Sequence, residues 1–121
     1  HTEAIVAAQK ILAKAIFTVI GGELLDTEAT FKKTGVAHPL VIAEHKTASY
    51  SFVAPFRLGA TLADAPQHDK TVLDKLGQQL GLAYQLREDV LGVFGNEATT
   101  GKSADGDLKE GKRTILIEAF D

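Results

Sequence analysis

Cysteine, methionine and tryptophan are all missing from this 121-residue chain. Without cysteine there is no disulfide, no thiolate zinc site and no thiol nucleophile. Without methionine the chain does not open at an initiator. Its helical pattern starts within the first few residues, and an apolar run is still under way at Asp121, so both ends are expected to be cut from a longer sequence. A net charge of −3 is too small to argue for a nucleic-acid partner. No uninterrupted apolar run approaches the roughly 20 residues that span a bilayer, so no transmembrane segment is expected. His1-Thr2-Glu3-Ala4 has neither the basic nor the apolar region of a signal peptide, and a cytoplasmic setting is expected.

What is present is 45% apolar and 24% charged, the balance of one ordinary globular domain. There is no repeat, low-complexity tract or flexible linker, so residues 1–121 form one unit. Ile5, Ala8, Leu12, Ala15/Ile16 and Val19 recur at helical spacing, with Glu3, Lys10, Lys14 and Thr18 on the other face. This pattern predicts a helix from Thr2 to about Leu25, loosened by Gly21-Gly22, with a break at Thr34-Gly35. Pro39 suits the first turn of a second helix running toward Ala63, kinked at Pro55. Asp64-Ala65-Pro66 closes that helix and opens a third, which runs to Phe94 and stops at Gly95. Residues 96–111 read as an exposed loop, and Lys112 to Phe120 as a further helix. No segment alternates with period 2, so the chain is expected to be all-α.

On the third helix, at about 100° per residue, Leu76, Leu80, Ala83, Val90 and Phe94 form one stripe, the expected core face. Gln85, Glu88, Asp89 and Gly92 cluster opposite. Adjacent carboxylates repel unless a cation or solvent lies between them, and magnesium is commonly held by one or two carboxylates plus substrate phosphates. Arg87-Glu88-Asp89 also suits a solvated face. Leu82, Leu91 and Val93 flank the patch, however, and a buried acidic patch needs a partner. On the second helix Lys46 and Tyr50 share a face with Thr47 beside them, a set able to cradle a phosphate oxygen or to be a snorkelling lysine with a half-buried tyrosine. Lys102, Asp107 and Lys112 suit either a lid over phosphate and metal or a plain solvated loop. Gly101-Lys102-Ser103 is no P-loop, because no glycine stands at the first motif position and a helix, not a strand, precedes it. His1, His38, His45 and His68 have no metal-ligand spacing.

These signals occur in one order: Lys-Thr-Ala-Ser-Tyr-Ser-Phe (46–52), Leu-Gly-Ala (58–60), Leu-Gly-Leu-Ala-Tyr-Gln-Leu-Arg-Glu-Asp-Val-Leu-Gly-Val-Phe-Gly (80–95), Thr-Gly-Lys (100–102), Asp-Leu (107–108) and Glu-Gly-Lys-Arg-Thr (110–114). The order resembles the C-terminal part of the polyprenyl synthetase family, the trans-isoprenyl diphosphate synthases, closest in flavour to the bacterial geranylgeranyl and longer-chain branch. The resemblance implies a bundle of long helices around a deep cavity, a homodimer, and two aspartate-rich motifs facing each other across the cavity mouth. It implies that an allylic diphosphate, bound through Mg²⁺ ions, ionises and that its cation alkylates isopentenyl diphosphate. By the same resemblance Lys46 and Thr47 would contact the allylic diphosphate with Gln85 beside it, and Tyr50 would line the site. Glu88 and Asp89 would stand in the second aspartate-rich motif, Lys102 and Lys112 would complete the diphosphate clamp, and Asp107 would sit in the closing loop.

The sequence departs from the family at Glu88 and Gly92, where the motif has its first and third aspartates. The first aspartate-rich motif and the isopentenyl diphosphate site are absent, so this chain alone is expected to be inactive. A non-catalytic accessory subunit and a terpene cyclase of the same superfamily are the competing readings. The Lys-Thr-Ala and Glu-Gly-Lys elements favour elongation over cyclisation.

Overall fold

The computed structural model describes residues 2–32, 34–101, 109 and 111–120. Helix α1 spans Thr2–Phe31, and α2, Pro39–Ala43, leads into a π-helical segment, Glu44–Val53. Then come α3, Ala54–Leu62, α4, Gln67–Phe94, α5, Glu97–Thr100, and α6, Ile115–Glu118. There is no strand among the described residues, and the protein is all-α.

The π-helical segment is the centre of the arrangement, with α1 and α4 both packed against it. Its approach to them is set by small residues. A Cβ at Gly81 of α4 would lie 2.4 Å from both Cα and Cβ of Ala48, which is 0% exposed. One turn earlier, a Cβ at Gly77 would lie 3.0 Å from Val53 Cα. On α1, a Cβ at Gly22 would lie 2.5 Å from the Lys46 backbone nitrogen. Helices meeting at glycine and alanine approach closely enough for backbone to touch backbone, which brings the side chains one turn away into reach of each other.

This packing overturns the expected core face. Leu76 and Leu80 are 42% exposed, Val90 43% and Phe94 74%, and Ala83 is exposed too, while the buried positions of α4 are Gly77, Gly81 and Asp89. Helix α1 follows suit: Ala15, Gly22 and Ala29 are buried, and Ile5, Leu12 and Ile16 face outward. Periodicity locates an apolar stripe, but here the seams are built from small side chains and the large ones lie outside them. Helix α1 is also long and apolar enough to cross a membrane by length and composition: an 18-residue stretch of it has a mean hydropathy of 1.6, although no uninterrupted apolar run is that long. Lys10 and Lys14 lie within it, and it packs on the π-helical segment and α3.

Four details differ from expectation. Gly21-Gly22 does not loosen α1, which continues to Phe31 because Gly22 is a packing contact. The second helix follows the expected path but is π-helical through its middle: the Ala54 N–H reaches back five residues to the Ser49 carbonyl, immediately before Pro55. Within the expected 96–111 loop, Asn96 Oδ1 accepts from the Ala98 N–H and starts the single turn α5, ended by Gly101 at φ 67°. Helix α6 is only four residues long, its N-terminus capped by Thr114 Oγ1, which accepts from the Ile117 N–H at 3.3 Å.

Candidate active site

The junction of α1, α2, the π-helical segment, α4 and the stretch before α6 encloses a cleft of about 110 Å³. Lys46, Thr47, Gln85, Asp89 and Lys112 line it, so five of the residues singled out from sequence come together here. Asp26, Arg113 and Thr114 join them.

Two polar systems meet in the cleft. In the first, Thr47 Oγ1 donates to Gln85 Oε1 at 2.6 Å, and Gln85 Nε2 donates to Asp89 Oδ1 at 2.8 Å. The other oxygen of Asp89 accepts from the Ile115 N–H at 3.1 Å. Asp89 is 5% exposed, and a buried carboxylate is tolerable only with such donors. The chain of bonds ties the π-helical segment to α4 and α4 to the N-terminus of α6, fixing Lys112, Arg113 and the buried Thr114 along the cleft wall.

The second system is ionic. Lys46 Nζ lies 2.6 Å from Asp26 Oδ2 and 3.2 Å from Glu23 Oε2, both on α1. Lys112 Nζ lies 3.9 Å from the same Asp26 oxygen. Burial works to lower the Lys46 pKa, but the hydrogen bonds and attraction of Asp26 and then Glu23 outweigh it, and the pKa stands above the ordinary lysine value. Lys46 is therefore charged throughout the physiological range.

Other expected site residues lie elsewhere. Glu88 is partly buried, 3.7 Å from Arg87 Nη1, and is not among the residues lining the cleft. Tyr50 is 60% exposed and also outside the lining. Lys102 and Asp107 lie outside the described residues. The sequence reading missed Asp26, Glu23 and Thr114. Asp26 falls one helical turn after Gly22 on the packed side of α1, a side that only the packing of Gly22 reveals.

Among the described residues no group of three or more His, Asp or Glu side chains could hold a metal by itself. Glu88 and Asp89 nevertheless fit part of a magnesium site. They are consecutive hard oxygen donors, and this ion is usually held by one or two carboxylates with water and substrate phosphate completing the shell. Asp89 is the buried member of the pair and lies in the cleft wall with Lys46 and Lys112.

Residues 1–120 match the polyprenyl synthetase family model. The chain belongs to the polyprenyl synthetase family. It is similar to a geranylgeranyl pyrophosphate synthase from Corynebacterium glutamicum, solved in complex with isoprenyl diphosphate and magnesium. The two share 37% identity and a TM-score of 0.88, over 96% of this chain and 33% of that one. It is 38% identical over 113 residues to the (2E,6E)-farnesyl diphosphate synthase of Mycobacterium tuberculosis, covering 92% of this chain and 31% of that protein. With the geranylgeranyl diphosphate synthase of Sulfolobus acidocaldarius it shares 32% identity, covering 96% of this chain and 35% of that protein. The chain thus spans about a third of the length of the relatives it matches.

Proposed function

We propose that this segment supplies one wall of a trans-prenyltransferase site, where an allylic diphosphate is joined to isopentenyl diphosphate to give a longer trans-polyprenyl diphosphate. The observation that carries the reading is the convergence of Lys46, Lys112, Thr47, Gln85 and Asp89 on one cleft, in a chain similar to a farnesyl and a geranylgeranyl diphosphate synthase.

Carbon–oxygen cleavage at an allylic diphosphate leaves negative charge on the departing group, and preorganised positive charge at that place lowers the barrier. Lys46 and Lys112 bring two ammonium groups to the cleft, and the Thr47 hydroxyl can donate to a phosphate oxygen once it turns from Gln85. Gln85, bonded on both sides, holds Thr47 and Asp89 in register. Glu88 and Asp89 would hold magnesium, which when bound supplies further positive charge to the diphosphate. Lys102 and Asp107 belong to this reading as the closing loop, and Tyr50 as a residue of the site edge. The same reading takes the complete protein as a cytoplasmic homodimer, a state that would cover outward apolar residues such as Phe17 and Phe31, 82% and 83% exposed.

The test is turnover of a polypeptide carrying this segment within the full family length. Glu88→Gln keeps shape but loses an anionic ligand, and Lys46→Ala removes a diphosphate contact. Each should lower turnover by roughly a hundredfold or more, on the scale of lost transition-state electrostatics. Near-normal turnover of both variants at saturating Mg²⁺ would withdraw the site.

A further inference from the structure

Asp26 belongs to none of the motifs that carry the family resemblance, yet two of the cleft's ammonium groups, those of Lys46 and Lys112, lie beside it. We infer that Asp26 is a positioning residue that holds Lys46 and Lys112 together, in the absence of ligand, where a diphosphate group then takes them over. The inference rests on the diphosphate-binding reading above.

Three observations support it. Both ammonium groups approach the same oxygen, Asp26 Oδ2, at 2.6 and 3.9 Å. Glu23, the other acidic neighbour of Lys46, has a side chain 56% exposed against 17% for Asp26, so Asp26 is the sheltered anchor and Glu23 a solvated accessory. The anchor is also built into the backbone. Helix α1 crosses the π-helical segment with Gly22 against the Lys46 backbone, and Asp26 follows four residues later on the same face.

Lysine side chains carry on the order of 2 kcal/mol of rotamer entropy, and two like charges in one small cleft repel. A shared carboxylate offsets both effects before ligand arrives. The raised pKa of Lys46 agrees with this geometry. A diphosphate, with more charge and more oxygens than one carboxylate, can displace Asp26 from both lysines without requiring them to be gathered first.

The sign of one measurement decides between anchor and competitor. A carboxylate near a bound anion repels it, so if Asp26 merely competes for the lysines, Asp26→Asn tightens anion binding. If it positions them, binding weakens despite the lost repulsion. The probe is inorganic diphosphate with Mg²⁺, titrated calorimetrically into the protein. We expect Asp26→Asn to raise Kd about tenfold and Asp26→Glu, which keeps the charge, to recover part of the loss. An unchanged or lower Kd for Asp26→Asn overturns the inference. Lys46→Ala separates this from failure of the underlying reading: if that variant binds diphosphate normally, the diphosphate site itself is wrong. Should Asp26→Asn fail to fold, lysine-selective acylation of the unaltered protein, read peptide by peptide, decides. Lys46 and Lys112 should react at least several-fold more slowly than the exposed Lys10, and equal rates overturn the anchoring role.

Discussion

Gly21 and Gly22 are neighbours in the same helix, share the same intrinsic cost and differ in what lies beyond them. A Cβ on Gly21 meets nothing within 4 Å, whereas a Cβ on Gly22 would stand 2.5 Å from the Lys46 nitrogen and 2.8 Å from His45 C and Lys46 Cα. Alanine for glycine inside a helix stabilises by about 1 kcal/mol, so Gly21→Ala should gain roughly that amount. Gly22→Ala has the same gain but must push α1 away from a backbone that α4 holds from its other side. Overpacking of this kind costs about 1–3 kcal/mol, and the upper end applies because the clashing atoms are backbone and cannot rotate aside. The two variants should therefore differ by about 2–3 kcal/mol, with opposite signs relative to the parent. At about 4 °C per kcal/mol for a chain of this size, their melting temperatures should be separated by about 10 °C. Thermal and urea unfolding followed by far-ultraviolet circular dichroism read this directly. If both variants shift stability in the same direction, the close crossing of α1 over Lys46 is wrong, and with it the placement of Asp26.

Two further outcomes follow from the ion pairs. Arg57 Nε donates to Asp74 Oδ1 at 2.9 Å and Nη2 to the other oxygen, tying α3 to α4; both side chains are partly exposed, so Asp74→Asn should lower stability by no more than about 1 kcal/mol in urea unfolding. Because the folded-state pKa of Lys46 is raised, its ion pairs stabilise fully below the ordinary lysine value of 10.5 and lose that contribution as pH climbs through the raised value. The stability difference between the parent and Lys46→Met should accordingly stay level from neutral pH to about that value and shrink above it; a difference that shrinks between pH 6 and 9 would contradict the assignment.

The sequence reading located α4 well, because proline before it and glycine after it bound an uninterrupted helical stretch, Gln67–Phe94. Lys46, Thr47, Gln85 and Asp89 stand out as polar groups on otherwise apolar helices, while Lys112 in its polar stretch enters only through the family resemblance. That resemblance also implies their convergence on one diphosphate, which periodicity alone does not give, since it depends on which helix faces meet. Those faces were misread on α4: leucine and valine mark a stripe by periodicity, but Gly77 and Gly81 decide the contact because only a residue without Cβ admits Ala48 and Val53 so near. The π-helical register of Glu44–Val53 also escaped, as composition does not distinguish a reach-back of five residues from four. Asp26 escaped because one carboxylate in an acidic, apolar helix has no motif around it. Its importance comes from Lys46 and Lys112, 20 and 86 positions away in sequence.

The most direct test of the central reading is product formation from an allylic diphosphate and labelled isopentenyl diphosphate with Mg²⁺. It compares this chain alone with a polypeptide that contains it at full family length. We expect a longer trans-polyprenyl diphosphate from the full-length protein, at least a hundredfold less of it after Lys46→Ala, and none from this chain alone, which provides one wall of the site. A full-length protein that releases only cyclic hydrocarbon, or binds neither diphosphate, would contradict it.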